Sequence, residues 1–248
     1  MINKNTYFLS DFHLGTPNAK ASLERELRIC HFLDSIMNDA KAVYLVGDIF
    51  DFWFEYKTVV PKGFLRFFSR LVKMKELGIE VVVFTGNHDL WMQDYFETEL
   101  QIPVHFKPIQ IEIDNKKFFI GHGDGLGPGD KGFKLMKKVF TNQFCQWLFR
   151  WLHPDIGVGI ANYWSRRSRI ATAISDEKNF GEKEWLVQYA KRKLETNHYD
   201  YFIFGHRHLP LDITLNSNSR YFNIGDWLRY NSYVKFDGQN CQLKFLEQ

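Results

Sequence analysis

Five short polar clusters, each placed directly after an apolar run, constrain this chain more than any other feature of its sequence. They are SDFH at 10–13, GDIFD at 47–51, GNHD at 86–89, GHGD at 121–124 and GHRH at 205–208. Apolar runs bounded by turn residues are typical of buried strands, and open α/β sheets gather their functional groups beyond the carboxyl ends of those strands. The sequence therefore predicts that the five clusters converge on one site.

The side chains in these clusters are the oxygen and nitrogen ligands that a borderline divalent metal accepts. The repeated glycines let the backbone turn sharply and come close to an ion. Taken alone, each cluster is more typical of a turn or a solvated loop than of a metal ligand. Five of them in one chain, each after a strand, favour a metal centre over coincidence.

The apolar pattern before residue 85 alternates between strands and helices. Strands are predicted at Thr6–Ser10, Ala42–Gly47 and Glu80–Thr85, and helices at Leu23–Met37 and Phe64–Leu77. This alternation predicts an α/β fold.

Further strands are predicted beyond these, and a hairpin turn is expected at Asp114-Asn115. They are Ile109–Ile113, Lys117–Ile120, Tyr201–Phe204, Leu211–Leu215, Arg220–Ile224, Ser232–Phe236 and Cys241–Phe245. In the predicted first helix, the buried face comprises Leu23, Leu27, Cys30, Ile36 and Met37. The whole chain, 1–248, is expected to be one domain with a helical insertion at 126–199.

The insertion differs from the rest of the chain in charge. It holds 13 basic and 7 acidic residues, whereas the chain as a whole has a net charge of only +3. A basic segment within a mildly acidic chain indicates an anionic partner, although solvated helix faces would give the same pattern. The excess is too modest to favour nucleic acid.

The insertion is also aromatic, in a chain that is 17% Phe, Trp and Tyr. Phe140, Phe144, Trp147, Leu148 and Trp151 have the spacing of one helical face. Such a stripe packs against a core in one interpretation. In the other, it forms an apolar groove or a membrane-facing surface, with nearby Lys and Arg meeting anionic headgroups.

The cysteines and the hydropathy indicate where the protein works. Cys30, Cys145 and Cys241 are far apart and match no metal spacing, which suits a reducing cytoplasm. No stretch approaches the roughly 18 uncharged apolar residues that a membrane span requires. The polar N-terminus, Met1 to Thr6, also argues against a signal peptide. A cytoplasmic protein is therefore expected.

The series D-x-H, GD-x-x-D, GNHD, GHGD and GH-x-H resembles that of the calcineurin-like metallophosphoesterases. The resemblance covers the whole core and implies a four-layer αββα sandwich with two divalent metal ions. It implies that Asp11, His13 and His208 hold one ion. Asn87, His122 and His206 would hold the other, and Asp48 would bridge both. Two cations about 3.5–4 Å apart can clamp phosphate oxygens and activate a water, so the ligand set suits phosphoester hydrolysis.

Other residues of the clusters are expected to support catalysis. The resemblance implies that His88 points at the substrate, where it would stabilise phosphoryl oxygens or protonate the leaving oxygen. We expect Asp89 to orient the ring of His88, as in a His–Asp dyad. Asp51 and Asp124 are candidates for accepting hydrogen bonds from the ligating imidazoles, with a helix N-cap as the alternative for Asp51.

Within the family, the chain resembles the UDP-2,3-diacylglucosamine pyrophosphatases of lipid A biosynthesis. The resemblance rests on the segment from His122 to Lys131, the Arg-rich insertion and the Gly225-Asp226-Trp227 segment before a final hairpin. It implies manganese, an amphiphilic nucleotide-sugar lipid substrate, a helical lid around the acyl chains, and peripheral contact with the inner membrane. Substrate contacts would come from Asn87, His88, Asp130, Ser168, Arg169 and His206.

One residue departs from that group, whose best-known members have GNRD where this chain has His88. A titratable ring is not equivalent to a permanent cation beside phosphate. The departure leaves a broader nucleotide phosphodiesterase or pyrophosphatase as the alternative. A non-catalytic scaffold of the same fold is disfavoured, because all seven ligand positions are filled.

Overall fold

Two β-sheets pack face to face, and helices cover the outer face of each sheet. This computed structural model describes residues 5–127, 131–161, 163–165 and 178–247. In chain order, the strands are β1 (Asn5–Leu9), β2 (Ala40–Val46), β3 (Glu80–Phe84), β4 (Val104–His105), β5 (Ile109–Ile113), β6 (Lys116–Gly121), β7 (Tyr201–Phe204), β8 (Leu211–Asn216), β9 (Ser219–Asn223), β10 (Ser232–Phe236) and β11 (Cys241–Phe245). The named helices are α1 (Ala19–Ile36), α2 (Leu65–Glu76), α3 (Tyr95–Thr98), α4 (Lys131–Phe140), α5 (Gln143–Phe149) and α6 (Trp185–Leu194), and residues 154–161 are helical as well.

The strand order brings the polar clusters to one end of the molecule. The first sheet has the order β11-β10-β1-β2-β3-β4, in which β1 to β4 run parallel. The second has the order β5-β6-β7-β9-β8, in which β6, β7 and β9 run parallel. Because parallel strands end at the same edge, the loops after β1, β2 and β3 lie together, and so do those after β6 and β7. The clusters occupy these five loops.

Three apolar layers hold the sheets and helices together. Between the sheets, Phe8 of β1 stacks on Phe118 of β6, with ring centroids 5.7 Å apart. Outside the first sheet, α1 and α2 bury residues such as Leu33 and Leu71. Outside the second sheet, α6 buries Leu186, Val187 and Ala190. The order helix, sheet, sheet, helix confirms the predicted αββα architecture.

The predicted strands match the observed ones to within two residues at each end, whereas the short elements β4 and α3 were not predicted. The expected hairpin turn is present, since Asp114 and Asn115 both have positive φ between β5 and β6. Two residues in the left-handed region match the twist of the flanking strands, and Asp and Asn tolerate that conformation. The Asp-Asn pair between two strand patterns therefore indicated the turn.

The buried face predicted for α1 is partly wrong. Leu23 and Leu27 are 40% and 48% exposed, whereas the charged residues Arg25 and Glu26 are buried. The Arg25 guanidinium donates hydrogen bonds of 2.6 Å to the carbonyl oxygens of His13 and Thr16. The Glu26 carboxylate accepts two hydrogen bonds of 3.1 Å from the first N–H groups of α2. These polar contacts rotate the helix away from the face that hydropathy alone selects.

The interpretation of residues 140–151 as one helical stripe is also wrong. The chain breaks between α4 and α5, where the Asn142 side chain accepts hydrogen bonds from the N–H groups of Phe144 and Cys145 and so begins a new helix. Phe144, Trp147, Leu148 and Trp151 are about half exposed or more, so they do not pack against the core.

Phe149 is the residue of α5 that packs against the core. The Phe149 ring lies 4.7 Å from the rings of both Phe54 and Trp91. Trp91 also donates its indole N–H to the carbonyl oxygen of Phe140. This part of the insertion therefore docks through Phe149 and the end of α4, while Phe144, Trp147 and Trp151 stay exposed.

None of the helices that the structure describes is both long enough and apolar enough to span a membrane. The limits of the insertion, 126–199, remain a prediction.

Candidate metal centre

The loops that carry the clusters adopt unusual backbone conformations. Five of the seven predicted ligands have φ in the left-handed region: Asp11 (56°), His13 (45°), Asp48 (52°), His206 (70°) and His208 (53°). Each such residue costs on the order of 1–3 kcal/mol and persists only where its surroundings impose it. This concentration of strain is typical of a functional site.

Two glycines permit the close approach of these loops. A Cβ at Gly47 would lie 2.6 Å from Nδ1 of His122, and one at Gly86 would collide with the Asp48 carboxylate. The loops after β2, β3 and β6 can therefore meet only where glycine stands at both positions.

One group of ligand atoms comes from the ends of β1, β2 and β7. Asp11, His13, Asp48 and His208 place one ligand atom each within 4.8 Å of one another. Nε2 of His13 and Nε2 of His208 are 3.1 Å apart, and Oδ1 of Asp11 lies 3.3 Å from the latter. The first three of these residues are buried and His208 is largely so.

A second group lies beside the first and shares Asp48 with it. Asp48, His122 and His206 also bring ligand atoms within 4.8 Å of one another. Oδ2 of Asp48 is 3.3 Å from Nε2 of His122, and Oδ1 of Asn87 is 3.4 Å from the same nitrogen. The structure thus brings all seven predicted ligands into two adjoining groups with one common carboxylate.

Neighbouring polar groups lie beside the second ring nitrogen of three of these ligands. Nδ1 of His122 lies 2.9 Å from the carbonyl oxygen of Val46, so it carries the proton and directs Nε2 into the site. Nδ1 of His208 lies 3.4 Å from Oδ2 of Asp226, and Nδ1 of His13 lies 3.7 Å from Oδ1 of Asp51.

The candidates for this orienting role were only partly correct. Asp51 is buried beside His13 and caps no helix, but Asp124 forms an ion pair with Lys137 of α4. The sequence pattern did not identify Asp226 or the carbonyl of Val46. Asp226 stands in the Gly225-Asp226-Trp227 segment, and the position of that segment before the final hairpin was the available sequence signal. The structure shows that both Asp226 and Trp227 are buried.

The carboxylate and imidazole side chains of the centre shift the pKa values of one another. Burial would raise the pKa of Asp48, but the imidazoles of His122, His88 and His13 hold that pKa well below its usual range. Burial likewise opposes protonation of His122, yet Asp48 outweighs it and raises the pKa of His122 to about 10. By contrast, burial and the cationic neighbour His122 lower the pKa of His206 to about 4.

The donor set fits divalent metal ions. Oδ1 of Asp11 is buried and makes no hydrogen bond within the part of the chain that the structure describes. A buried carboxylate oxygen left without a partner is costly, and an ion would satisfy it. Three carboxylate and amide oxygens together with four imidazoles suit a borderline or hard divalent cation.

His88 lies at the edge of the centre but is not oriented as predicted. Its Nδ1 is 3.0 Å from the carbonyl oxygen of Asp51 and 3.2 Å from Oγ of Ser165, a residue of the insertion. Since a carbonyl only accepts, Nδ1 carries the proton and Nε2 is the ring nitrogen left to meet a ligand. Burial lowers the pKa of His88 to about 4.

The predicted dyad between His88 and Asp89 is contradicted by the structure. The Asp89 carboxylate is fully buried and accepts hydrogen bonds from the backbone N–H groups of Gly86 (2.6 Å) and Ile49 (2.8 Å). Burial and the adjacent Asp48 raise its pKa to about 7. Asp89 therefore fastens the loop after β2 to the loop after β3, and the carboxylate nearest the His88 ring belongs to Asp51, at 3.9 Å.

Two chambers lie beside the centre and share Leu90 in their walls. The first, of about 1070 Å³, reaches His122 and is lined by apolar side chains together with a set of cationic and polar ones, including Lys107, Lys138 and Arg150. It is called the cationic chamber below. The second, of about 360 Å³, reaches Asn87 and His88 and is otherwise walled mainly by apolar side chains. It is called the apolar chamber, and its apolar walls include Phe52, Trp91, Met136, Phe140, Phe149, Ile160 and Trp164.

Three predicted substrate contacts, Asp130, Ser168 and Arg169, lie outside the described residues.

The sequence was also compared with known families and proteins, and the structure with solved structures. The family model for calcineurin-like phosphoesterase matches residues 4–210. The chain is 38% identical to a UDP-2,3-diacylglucosamine hydrolase of Porphyromonas gingivalis, over 99% of each protein. It is 25% identical to a UDP-2,3-diacylglucosamine hydrolase of a Shewanella species, over 97% of this chain and 96% of that protein. Among solved structures, Vps29 from Entamoeba histolytica in complex with zinc is 15% identical over 97% of this chain and 98% of that one, with a TM-score of 0.44.

The match to the family model spans most of the chain, and the shared-carboxylate site lies where the five family motifs meet. The chain therefore belongs to the calcineurin-like phosphoesterase family, whose members use divalent metal ions.

Proposed function

We propose that this protein hydrolyses the diphosphate bond of UDP-2,3-diacylglucosamine. Water adds to one phosphorus and the P–O–P bond breaks. The products are UMP and 2,3-diacylglucosamine 1-phosphate, known as lipid X. The named relatives support this substrate, since the P. gingivalis hydrolase aligns with the chain over its full length.

The observation that carries the proposal is the pair of unlike chambers that meet at the metal centre. The cationic chamber suits an anionic nucleotide, and the apolar chamber suits acyl chains. A substrate with an anionic head, a central diphosphate and a greasy tail would occupy all three regions at once.

Divalent ions, which we propose to be Mn²⁺, would be held by Asp11, His13, Asp48 and His208 and by Asn87, His122 and His206. When bound, they supply positive charge to the phosphate oxygens and lower the pKa of a water. The carbonyl of Val46 holds His122 by a hydrogen bond, and the carboxylates of Asp226 and Asp51 lie beside the rings of His208 and His13. His88 would present Nε2 to a phosphoryl or leaving oxygen, to which it can donate only when Nε2 also carries a proton, while the carbonyl of Asp51 and the Ser165 hydroxyl contact Nδ1. Asp130, Ser168 and Arg169 remain proposed substrate contacts.

The alternative is a broader nucleotide phosphodiesterase or pyrophosphatase. It would use the same metal centre and the cationic chamber but would have no need of the apolar one. The two functions therefore differ in whether the acyl chains contribute to catalysis.

The substrate assay separates them. We expect kcat/KM with manganese to be at least about 100-fold higher for UDP-2,3-diacylglucosamine than for UDP-N-acetylglucosamine, which lacks the long chains. Ile160→Asn, in the wall of the apolar chamber, should lower kcat/KM for the lipid substrate by about 10-fold or more. Ile156→Asn, one turn away on an exposed site outside the chamber, is the matched control and should have little effect. Equal rates on both substrates would eliminate the lipid assignment in favour of the alternative.

His88 provides a second test. His88→Ala should reduce kcat by about 10²–10⁴-fold, the usual contribution of a positioned acid or base group. His88→Arg, which restores the cation of the GNRD sequence, should recover part of the loss. His198→Ala, at a half-exposed histidine outside the centre, serves as the control. If His88→Ala lowered kcat equally on esters with good and with poor leaving groups, a role in protonating the leaving oxygen would be wrong, because a good leaving group departs without a proton.

We also propose that the insertion rests on the cytoplasmic face of the inner membrane. Phe144, Trp147 and Trp151 are 64%, 50% and 75% exposed, and the segment 126–199 that carries them has an excess of basic residues. Exposed aromatic side chains in a basic segment are typical of interfacial binding.

Co-sedimentation with phosphatidylglycerol-containing vesicles tests this placement. The protein should pellet with the vesicles, and Phe144→Ser combined with Trp151→Ser should release it, because these side chains would enter the interface. Phe245→Ser, a 51% exposed aromatic on β11, is the matched control. Equal binding by all three proteins would contradict the placement.

A further inference from the structure

We infer that the cationic chamber binds the UMP half of the substrate, with Phe106 stacking on the base. The inference rests on the proposed function, because it assigns one part of that substrate to one part of the site. It adds a nucleoside-binding subsite built from the connection between β4 and β5 and from the facing helices α4 and α5.

The chamber is continuous with the metal centre. His122, Gly123 and Asp124, all from the loop after β6, form part of its wall. A group bound there would have its phosphate end beside the ligands of the second metal group. Pockets for small ligands commonly measure about 300–1,000 Å³, so a chamber of about 1070 Å³ has room for a nucleoside monophosphate.

The charge of the lining selects an anion. Four lysines and one arginine line the chamber, against the single acidic residue Asp124. Lys137 is paired with Asp124, and Lys134 donates to the carbonyl oxygen of Gly127. Lys107 and Lys138, in contrast, make no side-chain hydrogen bond or ion pair with any residue that the structure describes. These two lysines approach from opposite sides, one on the core and one on α4, and are available to a phosphate.

Phe106 supplies the surface for the base. It is 50% exposed at the wall of the cationic chamber, and no described aromatic ring packs against it. An exposed aromatic ring beside free lysines is the combination that nucleotide sites use, because every base offers a flat face for stacking. The amide of Gln143, which no described residue engages, can complement the hydrogen-bonding edge of uracil.

The opposite arrangement, with acyl chains in the cationic chamber, would place apolar chains among lysines and glutamines. Burying those polar groups without partners is unfavourable. The apolar chamber, which shares Leu90 with the cationic one, offers the chains a matching surface. The two halves of the substrate therefore occupy different chambers.

The test uses inhibition of bis-p-nitrophenyl phosphate hydrolysis by the manganese-loaded protein. Inhibition constants are measured for UMP and for inorganic phosphate, and their ratio reports the contribution of the nucleoside. UMP should inhibit at lower concentration than phosphate in the wild-type protein. Phe106→Ala should weaken that preference by about 5-fold or more, the loss expected when a base loses its stacking partner. Phe106→Trp should retain it.

Phe245→Ala, with 51% exposure against 50% for Phe106, should leave the preference at the wild-type value. The inference is overturned if Phe106→Ala keeps the wild-type ratio, or if UMP and phosphate inhibit equally in the wild-type protein. Hydrolysis of the UDP-lipid together with an unchanged ratio in Phe106→Ala would overturn this subsite alone. Loss of the UMP preference in Phe106→Ala, in a protein that does not hydrolyse the UDP-lipid, would support the subsite and overturn the proposed function.

Discussion

The buried carboxylate of Asp48 is the group on which the rest of the centre depends. Its Oδ1 accepts a hydrogen bond of 2.8 Å from the N–H of His88, and its Oδ2 lies 3.3 Å from Nε2 of His122 and 3.7 Å from Nε2 of His13. Loops from β1, β2, β3 and β6 thus meet at one side chain. The carboxylate is buried, so its negative charge must be compensated by the imidazoles around it. Those imidazoles lie on separate loops, and the charge is therefore compensated only while the loops stay in place.

The metal-binding loops have an unfavourable backbone conformation, which the surrounding fold stabilises. Left-handed backbone at Asp11, His13 and Asp48 is unfavourable in isolation, and the surrounding hydrogen bonds hold it. Arg25 secures the loop after β1, while Asp89 secures the loop after β2 to the one after β3. Both are buried charged or titratable groups outside the ligand set. Their role is to position ligands, which explains why Asp89 has no contact suited to catalysis.

The sequence predicted the sheets and the convergence of the five polar clusters because both follow local rules, and the family resemblance then implied which seven residues of those clusters bind metal. Apolar runs mark buried strands, and strand ends share an edge. What it could not predict depends on long-range contacts. The inward rotation of Arg25 requires the carbonyls of another loop, the partner of His88 is a residue of the insertion, and the break at Asn142 overrides the helical spacing of the aromatic stripe. The choice of Phe149 as the residue that docks the insertion is likewise set by the positions of Phe54 and Trp91.

Calorimetric titration of the metal-depleted protein with Mn²⁺ tests most directly the claim that one carboxylate serves two ions. The protein should bind two equivalents, and Asp48→Asn should lose both. His122, whose pKa is raised to about 10, carries a proton at neutral pH in the metal-free protein and must lose it to ligate. Binding should therefore release protons, detected as a dependence of the heat on the buffer, and should tighten by up to about tenfold per pH unit from pH 6.5 to 8.5. A single equivalent, a second equivalent that survives in Asp48→Asn, or binding without proton release would contradict the account.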